Sequence, residues 1–353
     1  MKPVFVNSAV CISAQNTLAE DVFAELKLPE RTNLLNAIEP SYKEFITPGL
    51  IRRMSKVVKM SSVAAQKSLQ EAEVENPDAI IVGTGMGCSE DSEKFLKNLI
   101  ENGEEFLTPT YFIQSTHNTV AGQIALSIPC HSYNFTYVNC GSSFEFSLLD
   151  AKLQLENGEA QNCLVGGTDV IADHTEELYE LNKTIKAKNE IPENLLDSKT
   201  EGVVWGNGSA FFVLENEKSE SSYSQLVDIS IVNILEKSEI KNFINDFLTK
   251  NNLENSEIDA VIFGFSGDHD SDNFYREAQQ LFENSPQLYF KHLCGEFNTA
   301  AAFAFFMANQ ILKKQEIPEL IKINNFEKKE IRNILIYNNF FGKEHSLVLL
   351  KKP

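Results

Sequence analysis

Two segments far apart in the chain share one pattern, a run of apolar residues closed by glycine. The first is Asp78-Ala79-Ile80-Ile81-Val82-Gly83-Thr84-Gly85. The second is Asp259-Ala260-Val261-Ile262-Phe263-Gly264-Phe265-Ser266-Gly267. Continuous apolar runs of this length, bounded by glycine, fit strands buried on both faces. Each follows an amphipathic helical stretch, at 50–73 and at 239–251. Strands buried on both faces need helices on either side, so the class is α/β. The repetition predicts two similar halves packed together, and 353 residues suit about two units of ~150 residues.

Composition narrows the partners. Lys and Arg total 31 against 50 Asp and Glu, a formal net charge of −19. Nucleic-acid binding needs a basic footprint, and an anionic membrane surface would repel this chain, so neither is an expected partner. No stretch approaches the ~20 apolar residues of a membrane-spanning helix. The N-terminal Met-Lys-Pro-Val-Phe-Val-Asn lacks the apolar core of a signal peptide, and a cytoplasmic protein is expected. The 25 Phe recur in the strand and helix segments and read as core. Six Cys, at 11, 88, 130, 140, 163 and 294, include no CxxC pair. No metal or cofactor site is expected from them, and at least five should be small buried hydrophobes. The polar stretches 182–200 and 216–224 read as loops.

Seven segments, in order, resemble those of the β-ketoacyl synthases. Ile51-Arg52-Arg53-Met54 is similar to that family's early basic helix, and Ile81-Val82-Gly83-Thr84-Gly85-Met86-Gly87 to its first glycine strand. Asn118-Thr119-Val120-Ala121-Gly122-Gln123-Ile124-Ala125 resembles its Asn-x-x-Ala-Gly segment. Val138-Asn139-Cys140-Gly141-Ser142-Ser143 stands where the family has Thr-Ala-Cys-Ser-Ser. Gly158-Glu159 with Gly166-Gly167, then Glu201-Gly202-Val203-Val204-Trp205-Gly206-Asn207-Gly208, and finally Asn338-Asn339-Phe340-Phe341-Gly342 complete the series. The resemblance implies the thiolase fold, duplicated βα halves in a five-layer αβαβα arrangement, with halves at 1–215 and 216–353. It also implies a dimer formed through the first half along segment 107–143, and acyl chains delivered on an acyl carrier protein.

Decarboxylative condensation needs a nucleophile to hold the acyl chain, two His to stabilise an enolate, and an oxyanion hole. Residues 142–157 read as a helix, with Phe144, Leu148, Ala151 and Leu155 on one stripe and Gly158 as its C-terminal cap. Cys140 and Gly141 therefore lie in a strand-to-helix elbow, where the helix dipole should lower a thiol's pKa. Counted back from Gly158 without a gap, however, the family's nucleophile position falls on Gly141. Either the turn is rebuilt so that Cys140 presents its sulfur, or Gly has replaced the nucleophile. Ser142 is an outside candidate, though a Ser there is ordinarily a capping residue.

The family's first His position falls on Phe265. His269 comes four residues late and reaches inward only in a remodelled loop; a solvated His is the plainer expectation. The second His has become Glu296, in Lys291-His292-Leu293-Cys294-Gly295-Glu296. Lys291 beside it should favour the ionised carboxylate, which would oppose an enolate. His292 either substitutes or packs at a helix start.

By the resemblance, Gly141, Ser142, Phe265, Lys291 and Phe341 line the substrate channel, and Arg52, Arg53, Lys56 and Lys59 dock the acidic carrier protein. Altered residues at three reacting positions on a retained scaffold resemble the chain-length factors of polyketide and aryl-polyene systems, which pair with an active ketosynthase. The alternatives are an active acyltransferase using Cys140, with His292, Glu296 or His269 as acid/base groups, and a non-catalytic homodimeric scaffold.

Overall fold

The two glycine-closed runs occupy matching places in two matching sheets. The computed structural model describes residues 2–107, 109–128 and 130–353. Its first five long strands are β1 (Phe5–Ile12), β2 (Ala79–Gly83), β3 (Tyr133–Tyr137), β4 (Asn162–Asp169) and β5 (Gly208–Glu215). The second five are β6 (Ser224–Asn233), β7 (Ala260–Phe263), β8 (Gln287–Tyr289), β9 (Asn333–Phe340) and β10 (Glu344–Lys351). In space the first set runs β3-β2-β4-β5-β1 and the second β8-β7-β9-β10-β6. Both sets carry the same pairing: two parallel pairs at the outer edge, then two antiparallel pairs. The sets meet where Phe5 and Val6 of β1 pair with Gln225 and Ser224 of β6.

Helices cover every face. α1 (Lys56–Glu71) and α2 (Thr119–Ser127) lie outside the first sheet. α3 (Ser143–Asn157) and α6 (Ala301–Lys314) lie between the sheets. α4 (Ile240–Lys250) and α5 (His269–Gln279) lie outside the second. This is the five-layer thiolase arrangement. The layers explain the unbroken apolar runs: Ile80 and Val82 of β2 pack outward with Val58 and Val63 of α1, while Ile81 packs inward with Phe144 and Leu148 of α3. In the other half, Val261 and Phe263 face α4 and α5, while Ala260 and Ile262 face the central layer. α6, buried nearly all round, is apolar nearly all round.

Local signals held with small shifts. Gly158, at φ +75, ends α3 in the left-handed conformation that glycine adopts freely. The stretch 50–73 divides into a turn of helix at Pro48–Ile51 and α1, separated at 52–55. Five cysteines are buried and Cys140 is exposed. The polar stretch 182–200 is not solvated throughout. Lys186 within it is buried, its Nζ donating to Thr200 and to the Glu201 carbonyl. Among the described residues, no helix is long and apolar enough to cross a membrane.

Candidate functional site

The N-terminal ends of α3 and α6 meet the carboxyl ends of β2, β4, β7 and β9 at one place, and the elbow before α3 is its outer edge. β3 ends at Tyr137, and a tight turn over Cys140–Ser142 leads into α3. Cys140 sits at the apex with φ +44, a left-handed backbone that a side-chain-bearing residue holds only at a cost of ~1–3 kcal/mol. The turn directs Cys140 to the surface, while Gly141 is buried. A β-carbon on Gly141 would come within 2.2 Å of Phe340 Cβ, so only glycine fits. Of the two registers the sequence left open, the exposed apex is Cys140.

The apex is tied down from within. Ser143 Oγ donates to the carbonyls of Cys140 (2.8 Å) and Thr84 (3.2 Å) and accepts from the Asn139 amide (2.8 Å). Below lies Asp169, fully buried at the end of β4. It accepts from Thr84 Oγ1 and the Gly85 and Met86 amides on one oxygen, and from the Thr299 amide and hydroxyl on the other. Burial pushes its carboxyl up to about 6 against these hydrogen bonds. Asp169 thus fastens the loop after β2 to the start of α6.

The electrostatics correct one expectation. The Cys140 thiol pKa is raised, not lowered, by burial first and then by the carboxylates of Glu344 and Asp169. Cys140 begins the 3-10 turn that precedes α3, so it stands outside the first turn of that helix. Ser142 does begin the helix as its N-terminal flanking residue, but its hydroxyl does not cap it; it donates to Glu344 Oε2 at 3.4 Å.

Lys291 and Glu296 form a buried pair, Nζ to Oε2 at 2.6 Å, and Lys291 also reaches the Asn339 carbonyl at 3.3 Å. Here a second expectation is corrected. Burial pushes the Glu296 carboxyl up to about 7, more than the Lys291 ammonium pulls it down. Burial thus holds the carboxyl toward its protonated form.

Phe265 is buried. Its ring packs in the outer core against Tyr275 (4.9 Å between centroids) and Phe263 (6.0 Å), with the Arg276 guanidinium 5.7 Å from it. The loop beyond it is held by Asp272, whose carboxylate accepts the Ser266 and Gly267 amides. His269 begins α5 and is exposed; the segment is helix, not loop. His292 is buried in a short helix, Lys291–Cys294, and stacks on Tyr289 at 3.8 Å, with Nε2 2.9 Å from the Leu320 carbonyl. Burial lowers its pKa to about 4. It packs and does not face Glu296. Phe341, at φ +50, stacks edge-on against Phe340 beside Gly141.

Of the four basic residues, one is in an ion pair among the described residues. Lys56 pairs with Glu39 at 3.4 Å, and Lys59 lies over the Tyr42 ring. Arg52 and Arg53 are exposed and, among the described residues, in no ion pair. The edge strand β3 exposes Tyr133 and Phe135, with Val138 just beyond. Thr108 and Pro129, within the segment 107–143 expected at an interface, lie outside the described residues.

Sequence reasoning missed Asp169, Glu344, Glu145 and Phe340. Asp169 had a signal, an acid closing the Gly166-Gly167-Thr168 strand. Glu344 had none, since it reaches the elbow from the start of β10, 202 residues from Ser142 in the chain.

Residues 21–220 match the family model for the β-ketoacyl synthase N-terminal domain. The chain is 22% identical over 178 residues to 3-oxoacyl-acyl-carrier-protein synthase I, chloroplastic, of Arabidopsis thaliana, covering 47% of this chain and 38% of that one. It is 20% identical over 190 residues to 3-oxoacyl-acyl-carrier-protein synthase 2 of Staphylococcus aureus, covering 51% and 47%. The chain thus spans less than half the length of these curated relatives. Solved structures match over its whole length. A β-ketoacyl synthase from Burkholderia phymatum superposes with a TM-score of 0.82 at 14% identity, covering 100% of both chains. The ishigamide ketosynthase/chain length factor gives 0.81 at 14%, covering 100% and 99%. The ketosynthase ApeO in complex with its chain length factor ApeC, from Xenorhabdus doucetiae, gives 0.74 at 13%, covering 99% and 98%. At such identities the likeness is one of fold.

Proposed function

The chain belongs to the β-ketoacyl synthase family, and on that premise we propose that it is a partner subunit of the chain-length-factor kind, paired with an active ketosynthase in fatty-acid- or polyketide-type synthesis in the cytoplasm. One observation carries this reading. Where condensation calls for two histidines, this chain has an aromatic core residue, Phe265, and a lysine-paired carboxylate, Glu296. Phe265 has no group to donate to an enolate, and the Glu296 carboxyl is engaged by Lys291. A pairing role uses what is kept, the layered scaffold and its outer edge. β3 is an edge strand with apolar side chains exposed, and such edges invite a partner. Ketosynthase and chain length factor are the two components of similarly folded assemblies. Arg52 and Arg53 are the exposed cations to which an acidic carrier protein would be drawn.

A second reading, an acyltransferase that uses Cys140, is favoured by the exposed thiol at the apex of a strained turn. It is opposed by the raised thiol pKa and by the lack of a histidine partner for Cys140 among the described hydrogen bonds. A homodimeric scaffold is the third outcome.

Co-expression with an intact ketosynthase tests the pairing. Light scattering should give a one-to-one complex, and Phe135→Glu should reduce it to monomers. A chain that stays monomeric with the ketosynthase at micromolar concentration, or that self-pairs in its presence, contradicts the proposal.

A further inference from the structure

Leu35, Ile191, Leu195 and Val204 form a small apolar cluster of their own, apart from the large cores. A cavity of about 560 Å³ opens over them, with Tyr289 and His292 also in its wall. Apolar walls with a few polar groups are the usual make-up of a small-molecule site. His292 is only 9% exposed. Its Nε2 lies 2.9 Å from the Leu320 carbonyl, which can only accept, so Nε2 carries the proton and Nδ1 is a bare acceptor. Nδ1 is buried and has no hydrogen-bond partner among the described residues. The exposed side of the cavity is acidic, with Glu30, Glu193 and Glu319 against Arg31. Arg31 Nε is engaged by the Ile191 carbonyl at 2.6 Å, and Glu319 pairs with Lys322. Glu30 and Glu193 are exposed and in no ion pair among the described residues.

We propose that this cavity is a binding site for a small amphipathic amine. The apolar body lies on Leu35, Leu195 and Val204 beside the Tyr289 ring. The ammonium donates to His292 Nδ1, which a small tilt of the imidazole presents to it, and Glu30 and Glu193 balance its charge. Because Nδ1 is buried without a partner, the occupant fills an acceptor that the chain leaves idle. A carboxylate of the same shape is refused: an imidazole nitrogen without a proton has nothing to donate to it, and the acidic mouth repels it. The cavity stands back to back with the Lys291–Glu296 pair. His292 follows Lys291 in one short helix, and the Val204 carbonyl accepts the Glu296 amide. An occupant therefore braces both segments that hold the pair without touching the pair itself. The inference does not depend on the pairing role, because one chain supplies the whole site.

The test is a titration with 2-phenylethylamine, and separately with phenylacetate, at physiological salt. It is followed by NMR of the chain with carbon-13-labelled histidine rings and by calorimetry. Of the six histidines, one should shift saturably with the amine, with a Kd on the order of 1 mM for so small a ligand. That signal should be the one missing from His292→Phe, which keeps a ring against Tyr289 and removes the acceptor. The amine should bind this variant about tenfold more weakly, as loss of one hydrogen bond to a charged group implies. Phenylacetate should bind the wild type at least tenfold more weakly than the amine. Should His292→Phe fail to fold, Glu193→Lys, at an exposed position, carries the test: it should weaken the amine about threefold and narrow its advantage over phenylacetate. Shifts that only grow in proportion to amine concentration, as loose attraction to an acidic surface would give, overturn the proposal. So does phenylacetate binding as well as the amine, or an amine affinity unchanged in the variants. Neither condensation nor assembly is read here, so this result and that of the pairing test are separable.

Discussion

Lys291 Nζ lies 2.6 Å from Glu296 Oε2, and both side chains are buried. This contact joins the start of one short helix to the strand-like segment that hydrogen-bonds with Val204 and Gly206. Removing one member of a buried pair leaves the other charge unpaired, at a typical cost of ~3–5 kcal/mol, whereas replacing both by apolar groups is often near neutral. Glu296→Ala should therefore destabilise the protein by about 3 kcal/mol in urea unfolding. The double variant Lys291→Met with Glu296→Leu should recover most of that loss. Additive losses in the double variant would show that the pair is not coupled.

Gly141 admits no side chain because the Phe340 ring occupies the space. Gly141→Cys, which places a thiol at the family's nucleophile position, should overpack the elbow and cost roughly 1–3 kcal/mol. It should not create a condensing enzyme. Phe340→Ala combined with it keeps the Cβ that the new side chain would meet at 2.2 Å, so thermal unfolding of the double variant should show no recovery of stability. Equal melting temperatures for wild type and Gly141→Cys would mean the hairpin yields freely.

Glu145 on α3 is fully buried. Its Oε1 accepts from Ser346 Oγ at 2.6 Å, and its Oε2 has no hydrogen-bond partner among the described residues. Burial pushes its carboxyl up to about 7 from the ordinary 4.5. Between these values the folded state binds a proton that the unfolded state has released, so stability falls as pH rises from about 4.5 to 7 and stays low above. Glu145→Gln should remove this loss. At pH 8 the variant should be the more stable by roughly 2–3 kcal/mol, and at pH 4.5 the two should be close. Thermal unfolding at both pH values decides it; an equal difference at both would rule out ionisation as the cause.

The fold was legible because its signals are local and repeated. The runs at 79–83 and 260–263 announce strands covered on both faces, and Gly158 announces the end of α3. The site was legible only in part. Spacing located Cys140, Lys291 and Glu296, but the pKa shifts depend on neighbours that sequence order does not reveal. The dipole argument for Cys140 failed because burial raises the thiol, and Glu344 and Asp169 add to it from distant parts of the chain. The charge-pairing argument for Glu296 failed because complete burial outweighs one ammonium. His292, next to Lys291 in sequence, turns instead to Tyr289 and Leu320.

By itself this chain should not condense acyl groups. Losing one preorganised donor at an oxyanion typically costs ~10²–10³ in rate, and here both histidine positions are occupied by other residues. The direct measurement is a condensation assay by mass spectrometry with malonyl- and acyl-carrier protein. It compares this chain alone, with a partner ketosynthase, and with Cys140→Ala in each case. The account predicts background turnover alone, and product with the partner that is indifferent to Cys140→Ala. Robust product from this chain alone, abolished by Cys140→Ala, would contradict it and establish Cys140 as a nucleophile.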